Sequence, residues 1–267
     1  MSDLIFRAFN SFNKKKSPWK KNMLPLLIDQ LKQFNILCDI CSKQIGFMDY
    51  IPHLLMHYKQ KTLKELLLKD DYTSGQEYYE IAMMFKEGKE LIENLHIANY
   101  FFDKGAQKGN SDAQYEIGDN YFTGKGVTRD YIKAFHYFTL SEQQNNPKGI
   151  NGVGVCYQKG FGVKMNIDNA FKSYLRASQE GSIKAYCNIG NLYKNGYLST
   201  GKDLAQAYKF YQFAADKGFP KGKLEIGRAY LQGLHYKQDL KLAKEYLIAA
   251  LRSGEEDAAA LLKQIKE

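Results

Sequence analysis

Apolar and polar positions alternate with a helical period over most of the chain, and the alternation itself recurs. Ile81, Ile117, Val153, Ile189 and Ile226 each stand four residues before an aromatic ring, namely Phe85, Tyr121, Tyr157, Tyr193 and Tyr230. Residues four apart share one face of a helix, so each pair marks the buried side of a predicted helix. A small residue lies between the members of every pair: Ala82, Gly118, Gly154, Gly190 and Gly227. It leaves room for a second helix to approach closely. That second helix is marked by Ala98, Ala134, Ala170, Ala207 and Ala243, at steps of 36, 36, 37 and 36 residues, each followed by an aromatic-rich stretch.

The residues between the two helices fit the same hairpin. Gly88, Gly124, Gly160, Gly196 and Gly233 are predicted to end the first helix, because glycine enters the left-handed region at little cost. Asn94, Asp130, Asn166, Asp203 and Asp239 are predicted to cap the second, each side-chain oxygen accepting a backbone N–H that has no partner within the helix. Gly109, Asn145, Gly181, Gly218 and Gly254 fall near its end, and the next first helix starts almost at once, so consecutive hairpins must stack. After Gly254, residues 257–266 read as a lone first helix whose Ala258, Leu261 and Leu262 cover the last hairpin, the form expected of a terminal cap.

From Ala113 to Tyr137 the residues fit A-x-x-x-I-G-x-x-Y-x-x-G-x-G-V-x-x-D-x-x-x-A-x-x-Y, which closely resembles the Sel-one-like repeat, a relative of the tetratricopeptide repeats. The resemblance covers about residues 74 to 267. The first unit departs from it, with Ala82 for the usual glycine and no G-x-G turn, and only the second and third keep the full G-x-G-V. The expected fold is all-α: a right-handed α-solenoid of five helix-turn-helix repeats, at about 74–110, 111–146, 147–182, 183–219 and 220–254, with a C-terminal capping helix over 255–267. Likeness to the family implies an adaptor that holds protein complexes together.

If the hairpins stack as tetratricopeptide units do, positions six and three before the small residue, and one, four and five after it, line a concave groove. In the later units these are Lys148, Asn151 and Lys159; Lys184, Asn191 and Lys194; and Lys221 and Arg228. Such a basic groove suits an acidic peptide or a terminal carboxylate, held by charge-assisted hydrogen bonds. Solvated surface lysines give the same pattern. The first two units instead place Tyr79, Met83, Asp119 and Phe122 there, which points to an apolar pocket at that end.

The net charge of +9 is concentrated toward the start of the chain, where Lys14, Lys15, Lys16, Lys20 and Lys21 surround Trp19 in a basic arm over residues 1–22. Residues 4–12, with Ile5, Phe9 and Phe12 at helical spacing, suit a peripheral helix that meets a membrane or a partner, packs on its neighbours, or stays unfolded. Within 23–70, Cys38-x2-Cys41 is followed after eleven residues by His53-x3-His57. Two thiolates from a tight turn and two imidazoles one helical turn apart can close a tetrahedron around Zn2+, so these four are the candidate metal ligands of a zinc-finger-like module. The alternative is a pair of buried thiols and two unrelated histidines.

DNA reading is disfavoured. The gap between Cys41 and His53 is one residue short of the usual twelve, and Pro52 starts the helix too late to present a reading face. A nucleic acid-binding protein that uses the arm and the finger, with the repeats as a platform, is the second reading.

No catalytic constellation is assembled. Leu54 stands where a zinc protease carries glutamate after its first histidine, His96, His136 and His235 each occur in one unit only, and the G-K-G-V turn lacks the ending of a phosphate loop. No run approaches the roughly 20 apolar residues of a membrane span. Four cysteines without a regular framework fit a reducing compartment, so the expectation is a cytoplasmic, non-enzymatic scaffold for protein partners.

Overall fold

The computed structural model describes residues 35–37, 44–46, 74–88 and 93–265. Strands β1 (Asn35–Leu37) and β2 (Gln44–Gly46) pair antiparallel, with Asn35 opposite Gly46, Ile36 opposite Ile45 and Leu37 opposite Gln44. They belong to a separate unit from the helices. The strand pair is the one departure from an all-α chain among the described residues. Cys38, Cys41, His53 and His57, and the arm over 1–22, lie outside those residues.

The helical unit runs α1 (Gly75–Glu87), α2 (Leu95–Gln107), α3 (Ser111–Thr123), α4 (Tyr131–Gln143), α5 (Pro147–Lys159) and α6 (Ile167–Gln179). It continues with α7 (Ile183–Asn195), α8 (Leu204–Asp216), α9 (Pro220–Gln232), α10 (Leu240–Arg252) and the short α11 (Asp257–Leu262). Each helix packs on the next in sequence, so the helix pairs stack in chain order as a solenoid of five pairs and a final helix. First helices also touch directly, α1 on α3, α3 on α5 and α9 on α11.

The recurring residues perform the tasks their chemistry suggests. Asp130, Asn166, Asp203 and Asp239 cap α4, α6, α8 and α10 by accepting backbone N–H groups of the first turn. Gly124, Gly160, Gly196 and Gly233 follow α3, α5, α7 and α9 in the left-handed conformation. The small-residue column marks the closest approach of the two helices. A Cβ on Gly154 would lie 2.6 Å from Tyr174 Cε1, and one on Gly190 would lie 2.7 Å from Tyr211 Cε1.

Aromatic rings and alanines of second helices therefore bury against first helices on both sides. One cluster joins Ile150 of α5, Ala170 and Tyr174 of α6, and Ala185, Ile189 and Leu192 of α7. Others continue it to Ala258 and Leu261 of α11, which close the apolar end. No repeat has a core of its own, and stability is shared between neighbours.

Candidate interaction surface on the first helices

Because first helices lie side by side, equivalent positions form columns running along the solenoid, and polar side chains in these columns meet across the repeat boundaries. The fourth residue after the small position in one repeat faces the second residue before it in the next. At the first boundary these are Lys86 and Glu116, which form an ion pair. At the last they are Lys194 and Glu225, 2.7 Å apart. Glu225 is buried and also receives Arg228 Nη1 at 3.0 Å. Burial without partners would cost this carboxylate several kcal/mol, so two cations are placed where the carboxylate needs them.

The first-helix column six residues before the small position reads Gln76, Asp112, Lys148, Lys184, Lys221 and, in the cap, Asp257. Lys148 Nζ is 3.6 Å from Asp112, on one side, and Lys221 Nζ is 3.6 Å from Asp257 and 3.4 Å from Glu255, on the other. Lys184 stands between the two lysines, exposed. Among the described residues neither Lys184 nor Lys159 makes an ion pair, and both side chains face solvent.

The sequence-derived groove residues thus divide into two groups. Lys148, Lys159, Lys184 and Lys221 present charge at the surface, with Lys148 and Lys221 loosely paired. Asn151 is buried, its Oδ1 accepting from Asn188 Nδ2 at 2.8 Å, and Asn191 Oδ1 accepts from the Tyr211 hydroxyl at 2.7 Å. Lys194 and Arg228 are committed to Glu225. These last four brace the repeats. Of the apolar set at the other end, Phe122 is spent on neighbouring rings, edge-on to Tyr131 at 5.6 Å and to Phe161 at 5.7 Å, and Tyr79 packs on Phe102 at 5.9 Å.

Reactive groups inside the solenoid are held inert. Burial pushes the thiols of Cys156 and Cys187 up to about 12, so both are protonated at neutral pH and poor nucleophiles. Burial likewise raises the phenols of Tyr174 and Tyr211, which donate to Gln158 and Asn191. No group of three or more metal-ligating side chains occurs among the described residues, and no helix among them is long and apolar enough to cross a membrane.

The Sel1 repeat family model matches five times in register, at residues 78–110, 111–146, 147–182, 183–219 and 220–255. The chain belongs to the Sel1 repeat family. A Sel1 repeat protein from Oxalobacter formigenes is 28% identical, with a TM-score of 0.64 over 78% of this chain and 84% of that one. The solenoid is also similar in fold to c5321, a protective antigen of uropathogenic Escherichia coli, at 24% identity and a TM-score of 0.56 over 69% of this chain and 39% of that one. Immunity protein Pa5087 from Pseudomonas aeruginosa shares the fold at 20% identity, with a TM-score of 0.52 over 69% of this chain and 68% of that one. No curated protein matches. Sel1 repeats are typically non-catalytic protein-interaction scaffolds, and the stacked helix pairs of this chain have that fold.

Proposed function

We propose that this Sel1 repeat protein is a non-enzymatic adaptor that holds an acidic peptide, or an acidic face of a partner protein, along the first helices of its third to fifth repeats. The observation that carries the reading is Lys184, exposed and without an ion pair among the described residues, flanked in its column by Lys148 and Lys221, whose own carboxylates lie on the far sides. The exposed Lys148–Asp112 pair at 3.6 Å contributes about 0–1 kcal/mol, so a partner carboxylate can compete for this lysine. Lys159 adds a further free charge.

The test is capture of partners from the native source by the wild-type chain and by the Lys159→Glu/Lys184→Glu variant. Both substitutions lie at exposed positions and leave the bracing pairs intact. Capture should fall at least tenfold, or about 1.4 kcal/mol. Equal capture by the two proteins would reject this surface.

The proposal extends to the front module, with Zn2+ held by Cys38, Cys41, His53 and His57. The register supports it, because Leu37 pairs with Gln44 and the connection between them therefore contains Cys38-x2-Cys41. Cys-x2-Cys is a ligand spacing used by structural zinc sites. Metal analysis should return one zinc per wild-type chain and none for Cys38→Ser/Cys41→Ser. A folded, zinc-free wild type would exclude the site.

A further inference from the structure

A separate feature lies on the edge formed by the turns between first and second helices. Successive turns stack on one another. The rings of Tyr131 at the start of α4 and Phe161 in the following turn are stacked at 4.2 Å, and a Cβ on Gly162 would lie 2.1 Å from the Tyr131 carbonyl oxygen. A Cβ on Gly126 would lie 2.7 Å from Leu95 Cβ at the start of α2, and Asn99 Nδ2 donates to the Lys125 carbonyl at 2.8 Å. These contacts join the first three repeats, and in the fifth the turn residue His235 stacks on Tyr208 of α8 at 5.4 Å, so the turns follow one margin.

Seven large apolar side chains are exposed among the described residues, and four of them lie on this margin, one for each of the second to fifth repeats. They are Ile132 at 73%, Met165 at 62%, Tyr197 at 51% and Leu240 at 45%. Between each helix-ending glycine and the third residue after the cap, the four turns carry Lys125, Arg129, Lys133, Lys164, Lys202, Lys237 and Lys241 against Asp130, Asp168, Asp203 and Asp239. Three of these four acids are occupied in capping helices. Among the described residues none of the seven cations makes an ion pair; Arg129 lies 5.4 Å from the Tyr131 ring and Lys133 lies 5.0 Å from the Tyr121 ring, and both remain exposed.

We propose that this margin seats the solenoid on an anionic lipid surface. The apolar tips stand one per repeat but at different steps of their turns, Ile132 and Leu240 after the capping aspartate, Met165 before Asn166 and Tyr197 after Gly196, so they do not mark one repeated pocket of the kind that a tight protein partner fills. A bilayer surface makes no such demand. Each isolated tip enters the boundary between headgroups and acyl chains by itself, while the lysines and arginine around it meet lipid phosphates and carboxylates. The free charge and the apolar tips occur on the same margin, which suits an interface that is negative at its surface and apolar just beneath. The first helices stay open for a protein partner, so a membrane-seated adaptor combines the two surfaces.

The experiment is vesicle co-sedimentation of the full chain with phosphatidylcholine alone and with about 30% phosphatidylserine added. The wild type should bind only the anionic vesicles, with an affinity that falls steeply as salt rises. Ile132→Ser/Met165→Ser/Leu240→Ser should weaken binding at least tenfold at constant charge, and so should Lys133→Glu/Lys164→Glu/Lys241→Glu. All six sites are exposed, and unchanged helical circular dichroism checks that the variants are folded. Two results would overturn the proposal: no vesicle binding by the wild type at low salt, or edge variants that bind as well as the wild type, which would assign the attraction to the lysines around Trp19. Capture of soluble poly-glutamate, lost in the edge variants and unaccompanied by vesicle binding, would assign the margin to an acidic protein and overturn it equally.

Discussion

The boundary between the second and third repeats and that between the fourth and fifth are built on one backbone step with opposite chemistry. At the first, the facing positions are Phe122 and Gly152, and rings fill the space: Phe122 lies 6.2 Å from Phe138, and a Cβ on Gly152 would meet the Phe138 ring at 2.8 Å. At the second, the same positions hold Lys194 and the buried Glu225, joined by Arg228. Neither kind of contact is dictated by the repeat. What the repeat dictates is the spacing, within which a ring or a charge triad is accommodated provided each is complete. The two boundaries should therefore fail differently.

The largest effect is expected where atoms are removed from the aromatic boundary. Phe138 is buried between α3 and α5, and Phe138→Ala should destabilise the solenoid by about 3–5 kcal/mol in urea unfolding, with no dependence on salt. A loss below about 1 kcal/mol would mean that the repeats collapse around the gap. The charged boundary should break through Lys194→Ala/Arg228→Ala, which leaves Glu225 buried and unpaired. About 3 kcal/mol is expected, because both cations are mostly buried and the pair is only partly screened. Adding Glu225→Gln to that double variant should recover most of the loss. A failure to recover would show that the lysine and arginine stems act by packing instead.

A smaller effect sharpens what the boundaries share. Gly154→Ala places a methyl group 2.6 Å from the Tyr174 ring, and the helical gain of alanine over glycine, about 1 kcal/mol, offsets part of the overpacking. A net loss of roughly 1–2 kcal/mol is expected in urea unfolding, whereas Gly109→Ala, with open space around it, should lose only the cost of its positive φ.

The hairpins and their caps were readable in the sequence because they rest on short spacings that recur. Asp130 caps α4 for the same reason that Asp203 caps α8, and one instance teaches the next. The bracing pairs were not readable. Lys194 and Glu225 are 31 residues apart, as far in sequence as many pairs that never meet, and the repeat length alone does not say which columns face each other across a boundary. Reading each first helix by itself put Lys194, Arg228, Asn151 and Asn191 in a groove; the partners of Lys194, Asn151 and Asn191 belong to neighbouring helices, and Arg228 is drawn in by Glu225 of its own helix, which Lys194 also meets. Lys184 kept its place because the acids of its column stand two repeats away. The register of the small-residue column, compared across repeats at the positions four after and two before it, carries the missing signal: it aligns lysine with glutamate at the first and last boundaries and phenylalanine with glycine at the second.

The smallest expected effect is on a charge that lies between the two extremes. Glu142 at the end of α4 accepts from Arg176 Nη1 of α6 at 3.2 Å, yet burial raises its carboxyl above the usual range, and the nearby guanidinium offsets only part of this. A carboxyl whose folded pKa is raised favours folding while protonated. Its contribution is complete below the unfolded value of 4.5 and lost as pH rises through the folded value. Glu142 thus opposes folding at neutral pH relative to acid, the reverse of a carboxylate strengthened by its ion pair. Glu142→Gln keeps an oxygen for Arg176 and removes the titration, so the variant should unfold at a slightly higher urea concentration than the wild type at pH 7, and the difference should vanish below pH 4.5. A variant less stable than the wild type at pH 7 would show that the guanidinium outweighs burial, and Glu142 would then belong with Glu225 as a carboxylate that its cation holds in place.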